Sequence, residues 1–194
     1  MHMFGRRNIT FFLGVALALV LLIVILIVVF TGGGPSTKPK SPIASYANDP
    51  TAQATLLIDG PEGAGSNHNQ IQIIINNSSS TINIIQGYND NIIKSKTYSN
   101  SEAGFHVFLR ALEYSEFDVG NNDPTQSQAS GFCPLGNRYI FSFNADNTQI
   151  QRYWITSCPG DPHTFDGNLD LTVKLFQNQI IDFDSITSGL NIAS

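Results

Sequence analysis

The stretch QIQIIINNSSSTINIIQGYNDNIIKSKTY, residues 70–98, decides the fold. Two runs rich in β-branched residues, Gln70–Asn77 and Thr81–Tyr88, flank Ser78-Ser79-Ser80, a pattern that predicts a hairpin. A third run, Asn91–Tyr98, follows the turn signal Asn89-Asp90 and predicts a further strand. Upstream, ATLLIDGP (Ala54–Pro61) reads as a strand stopped by Gly-Pro, and EGAGSNHN after it as a loop. Downstream the period changes. Ser99 and Glu102 have capping-box spacing, and Phe105, Phe108, Leu109 and Leu112 follow at i, i+3, i+4 and i+7, which predicts a helix with its apolar stripe on the sheet. Asp118–Ser130 is a long polar loop without periodicity, and Leu169, Val173, Phe176 and Ile180 mark a second amphipathic helix. The order of elements implies an α+β domain of two layers, with an antiparallel sheet of about five strands and two packed helices.

The N-terminal part has a different character. Phe11–Phe30, FFLGVALALVLLIVILIVVF, carries no polar or charged side chain. At ~1.5 Å per residue it spans roughly 30 Å, the thickness of a bilayer's hydrocarbon core. The segment is longer than the apolar region of a cleaved signal peptide and exits into VVFTGGG, a poor cleavage site. A retained single transmembrane helix over residues 8–31 is the expectation, making the lipid bilayer the first expected partner. Arg6 and Arg7 precede the span and a Gly/Pro-rich spacer containing TGGGPSTKPKSP follows it. The implied organisation is a cytoplasmic leader over 1–7, the span, a linker over 32–53, and an extracytoplasmic domain over 54–194. Localisation is therefore expected at the cell membrane, single-pass, with the N-terminus inside. From Ile43 onward six Lys plus Arg face fifteen Asp plus Glu, a net charge of −9. That balance argues against nucleic acid as a partner, because phosphate binding needs clustered cations.

The chain's two cysteines bracket CPLGNRYIFSFNADNTQIQRYWITSC, Cys133–Cys158. If they face each other across an antiparallel pair, the turn centres between Ala145 and Asp146, inside the strongest turn signal of the stretch, Asn144-Ala145-Asp146-Asn147. Two signals thus agree on one hairpin closed by a disulfide, in keeping with an oxidising exterior. In that register Tyr139, Phe141 and Phe143 alternate on one strand, and Ile150, Arg152 and Trp154 on the other. Alternation favours a core role for these aromatics, with Tyr139, Tyr153 and Trp154 the candidates for an exposed patch. The mouth of the hairpin, Pro134, Leu135 and Gly136, is the candidate binding loop.

Other chemistry lacks its full set of residues. A zinc site of Cys133, Cys158, Asp161 and His163 lacks the close-spaced cysteine pairs of structural zinc. Asp166-Gly-Asn168-Leu-Asp170 opens like a calcium loop, but Leu171 and Gln177 stand where the glycine and the bidentate glutamate belong, so Asp166 or Asn168 is expected to cap the second helix. His68, His106 and His163 have no matched nucleophile, and Asp182 and Asp184 are expected to be solvated acids. No metal, no cofactor and no catalytic residue is expected; an unrecognised hydrolase would need a cleft gathering two or more of Asp161, His163, Asp166 and Asp182.

Two resemblances can be drawn. DGP at Asp59–Pro61, Asn67-His68, QGY at Gln86–Tyr88, FLRALE at Phe108–Glu113, then CPLGNRYI, QRYWITSC and LFQNQIIDF together resemble an uncharacterised family of small anchored or secreted proteins from reduced-genome candidate-phylum bacteria. The resemblance covers Leu57–Asp184 and implies a surface location without naming an activity. The order β-β-helix, Cys-Pro-Leu, aromatic hairpin and closing cysteine is also similar to the bacterial subtilisin-inhibitor family. That likeness implies an extended loop with Leu135 entering a protease pocket, Gly136 following the scissile bond, and Cys133–Cys158 bracing the loop. The sequence departs from that family in lacking a second disulfide, in Asn-Arg-Tyr where Tyr-Asp-Pro is usual, in a shorter intercysteine spacing, and in the flexibility Gly136 brings. The expected function is a membrane-tethered extracytoplasmic module, protein-binding or structural at the cell surface, with protease inhibitor as the alternative.

Overall fold

The computed structural model describes residues 42–190 and residue 192. The leader 1–7, the expected span 8–31 and the first part of the linker lie outside the described residues. No helix among the described residues is long and apolar enough to cross a membrane.

Six strands form one antiparallel sheet: β1 (Gln53–Asp59), β2 (Asn69–Asn76), β3 (Ser79–Gln86), β4 (Asn91–Ser99), β5 (Arg138–Ala145) and β6 (Thr148–Thr156). Their spatial order is β4-β3-β2-β1-β5-β6, so the 138–156 hairpin extends the sheet beyond β1, first by β5 and then by β6, and takes the count to six rather than five. Among the described residues three α-helices accompany them: α1 (Glu102–Tyr114), α2 (Leu169–Gln177) and the single turn α3 (Phe183–Thr187).

The isoleucines explain the layering. Leu56 pairs with Ile73 and Phe141, and Ile73 with Ile82, so one face of the sheet carries a continuous apolar row. Phe105, Phe108, Leu109 and Leu112 of α1 and Phe176 of α2 bury against it, Phe108 meeting Phe176 edge-on at 5.2 Å. The α1 cap is Ser101, whose hydroxyl accepts from Gly104 N at 3.1 Å, two residues later than Ser99, because β4 runs on to Ser99. Asn168 caps α2 by accepting from Leu171 N at 3.0 Å, one of the two caps expected.

The opposite face is covered only in part. Ala129, Ile140 and Trp154 form a second, smaller cluster there, with Phe132 stacked on Trp154 at 5.4 Å. The polar loop 118–130 supplies that cover, its Gln126 carbonyl accepting from the indole Nε1 of Trp154.

The domain begins before Ala54. Ile43 is fully buried, Ala47 and Ala52 join the main core, and Ala44 N donates to Glu113 Oε1. A short 3-10 turn over Ile43–Tyr46 has no periodicity to betray it, so its burial is invisible in a linker-like composition.

Candidate functional site

The disulfide joins Cys133 and Cys158 with their Cα atoms 5.6 Å apart, as the spacing suggested. The register behind it differs from the symmetric expectation. Tyr139 opposes Ile155, Phe141 opposes Tyr153 and Phe143 opposes Gln151, three positions away from the pairing expected. The cause lies at the turn, where Asp146 and Asn147 both take positive φ as a two-residue hairpin loop requires, and at a bulge between Phe143 and Asn144. The cysteines consequently sit beyond the strand ends, and Cys133 reaches its partner by folding back with φ of 48°.

That fold-back builds the mouth. Gly136 N donates to Cys133 O at 3.1 Å, closing Cys133-Pro134-Leu135-Gly136 into a β-turn rather than the extended loop of the inhibitor resemblance. Asn137 N donates to Ser157 Oγ at 2.9 Å and Ser157 N to Asn137 O, tying the turn to the far strand. Gly136 is held here by close approach: a Cβ on it would meet Ser157 Oγ and lie 2.6 Å from Cys133 Sγ. From the first arm, Glu62 N donates to Pro134 O at 2.7 Å. Leu135, at the tip, is 86% exposed.

Glu62 leads to a group of residues that sequence reasoning left apart. Arg138, only 2% exposed, donates through Nε to Asp59 Oδ2 at 2.8 Å, through Nη1 to Glu62 Oε1 at 2.6 Å and through Nη2 to Gly60 O at 3.0 Å. Asp59 Oδ1 also lies 2.9 Å from His68 Nε2 and accepts from Gln70 Nε2. The other ring nitrogen of His68 is 3.0 Å from Pro61 O. His68 thus bridges the Asp59 carboxylate and the Pro61 carbonyl. The Arg138 guanidinium thus meets two carboxylates, which is how charge is accommodated below a surface. His68 also stacks on Tyr88 at 4.2 Å, and Tyr88 bonds Gly63 through its hydroxyl. The cluster fixes the segment Asp59–Gly63, and that segment holds the Pro134 carbonyl.

Of the candidate aromatics, Tyr153 and Trp154 are buried and Tyr139 is half-buried, so they do not form an exposed patch; burial pushes the Tyr153 hydroxyl pKa up. The binding-loop residues Pro134 and Leu135 are exposed together. Cys133, Cys158 and Asp161 lie close together, but the two sulfurs are bonded to each other and offer no thiolate to a metal. Asp161, His163 and Asp166 are neighbours on one loop, His163 lying 3.5 Å from Asp166, while Asp182 is paired with Lys96 of β4.

The signal that could have found the cluster is Arg138 itself. It shares the alternation that places Ile140 inside, so a charge there needs a buried partner. Nothing in the spacing of Asp59, Glu62 and His68 names those partners. No family model matches the chain, and no curated protein matches it.

Proposed function

We propose that the folded domain is an extracytoplasmic module, tethered to a membrane through residues 8–31, that binds a protein partner through the turn Pro134-Leu135-Gly136. The observation that carries the reading is one large apolar side chain, Leu135, 86% exposed at the tip of a turn that is fixed on both sides. Exposed single leucines are ordinary. This one is unusual in its support: a disulfide, an intraturn hydrogen bond, two bonds to Ser157 and one to Glu62 hold the backbone that carries it. Ordering a contact loop before binding lowers the entropy lost in the complex, which is the physical use of such bracing.

The test is site-specific photocrosslinking in the intact chain at the cell surface. A photoreactive residue at position 135 should give a discrete protein adduct that the same residue at Ile181, 82% exposed on the helical side, does not. Adducts at neither position, or equal adducts at both, would sink the proposal. The same experiment with cysteine accessibility on either side of the membrane tests the tether, since labelling of the domain from inside the cell would reverse the topology.

Exposure of Leu135 next to a disulfide also favours a second reading, inhibition of a subtilisin-like protease. The turned backbone at Cys133–Gly136 counts against it, because such proteases grip an extended segment. The chain leaving subtilisin uninhibited at micromolar excess ends that alternative.

A further inference from the structure

A cavity lies on the helical face of the sheet, and Leu135 is not among its lining residues. Ile58 of β1 pairs with Ile71 of β2 on one side and Tyr139 of β5 on the other, and this row floors the cavity, whose volume is about 380 Å³. Leu169 and Val173 of α2 roof it, and Phe183 and Leu190 close the far wall. Small-molecule sites occupy roughly 300–1,000 Å³ and combine apolar walls with a few placed polar groups, and this cavity meets both conditions.

Its rim is specific. Asp170 and Lys174 line it one helical turn apart on α2, on the same side of the helix. Neither takes part in an ion pair among the described residues, although Cβ atoms at that spacing are only about 5–6 Å apart. The ordinary account of the two charges is the helix dipole, which favours an acid in the first turn and a base in the last. That account explains their signs. It leaves open why both stand over an apolar cavity without closing on each other.

We propose that this cavity binds a small apolar molecule with a zwitterionic head, an apolar amino acid or a short apolar peptide. The ligand's ammonium pairs with Asp170, its carboxylate with Lys174, and its side chain enters between Val173 and the Ile58–Ile71 floor. A purely anionic amphiphile fits less well because Asp170 would repel its head. A purely apolar ligand would leave both charges unused.

The experiment is a ligand-detected NMR titration of the full chain in non-ionic detergent with L-leucine. N-acetyl-L-leucine lacks the ammonium and L-leucinamide lacks the carboxylate, so each removes one half of the head. The expected result is binding of L-leucine, weakened about two- to fivefold by loss of either charge, by Asp170→Asn or by Lys174→Gln, the range of one exposed ion pair. Filling the cavity with Val173→Trp should abolish binding while the circular dichroism spectrum stays unchanged. Leucyl-leucine binding more tightly than leucine would identify peptide termini as the source of the ligand; the reverse would identify free amino acids. Failure of L-leucine to bind at millimolar concentration overturns the proposal, and so does binding of the acetylated and amidated forms as tight as that of L-leucine. Equal binding by the Val173→Trp variant also overturns it. None of these outcomes depends on Leu135, so this proposal and the crosslinking result stand or fall separately.

Discussion

Replacing Arg138 by methionine tests whether the polar cluster braces the mouth. Methionine keeps the length of the aliphatic stem and removes the guanidinium bonds to Asp59, Glu62, Gly60 and Phe132 together. Removing one partner of a buried pair costs about 3–5 kcal/mol, because the other charge is left without compensation. Here the abandoned groups differ. Glu62, 43% exposed, can turn its carboxylate to water, and its loss falls in the range of an exposed pair, ~0.2–1 kcal/mol. Asp59, 19% exposed, keeps its bonds to His68 and Gln70 and so retains part of its compensation. The lower end, about 3 kcal/mol, is therefore expected. With a urea slope of ~2 kcal/mol/M, that moves the unfolding midpoint down by ~1.5 M. Glu62→Gln should move it by less than about 0.5 M on the same reasoning. Hydrogen exchange supplies the local readout: the Glu62 amide, which donates to Pro134 O, should lose protection in the Arg138→Met chain more than amides in the middle of β2. A midpoint shift under ~0.5 M for Arg138→Met, or unchanged protection at Glu62, would refute the bracing argument.

Other outcomes follow from single features. Replacing both cysteines by alanine removes the closure of a loop spanning 25 positions and should cost about 3–4 kcal/mol, read as a lower denaturation midpoint. Gly120→Ala places a Cβ 2.9 Å from Tyr153 Cγ and against the Thr164 carbonyl, so overpacking of about 1–3 kcal/mol is expected where a surface glycine would show nothing. The backbone amide of Asp146, with Thr51 behind it, holds the Asp49 carboxyl below its ordinary range. A carboxylate lowered in the folded state contributes stability above its unfolded pKa of about 3.9, and that contribution is lost as pH falls through the folded value. Exchange at the Asp146 amide should therefore rise relative to its β5 neighbours below about pH 4, and Asp49→Asn should remove the pH dependence.

The parts legible in the sequence are those whose cause is local. The isoleucine runs of β2 and β3 and the stripe of α1 needed no distant information, since each face is set by chain periodicity. The disulfide was legible because the turn signal and the cysteine spacing are both short-range. Its register was not, because one bulge beside Asn144 and a tight turn at Asp146-Asn147 displace the pairing by amounts no alternation records. Ser99 and Ser101 offer similar caps, and only the length of β4 decides between them. The cluster at Arg138 joins β1, the segment after it, the start of β2 and β5, so its members meet only once the sheet order is known.

The sheet also separates two ends that the sequence places on one line. The residues from 43 to 52 pack at the start of β1, where Asp49 and Thr51 bond the backbone of Asp146 and Asn147. The turn carrying Leu135 packs at the finish of β1, through Asp59–Glu62 and Arg138. β1 has seven residues, so roughly 20 Å of stiff sheet stands between them. The first described residues therefore pack at one end of a strut while Leu135 occupies the other. A pull applied at Ile43 is carried along β1 and its neighbours, in shear across the ladder, before it reaches the turn.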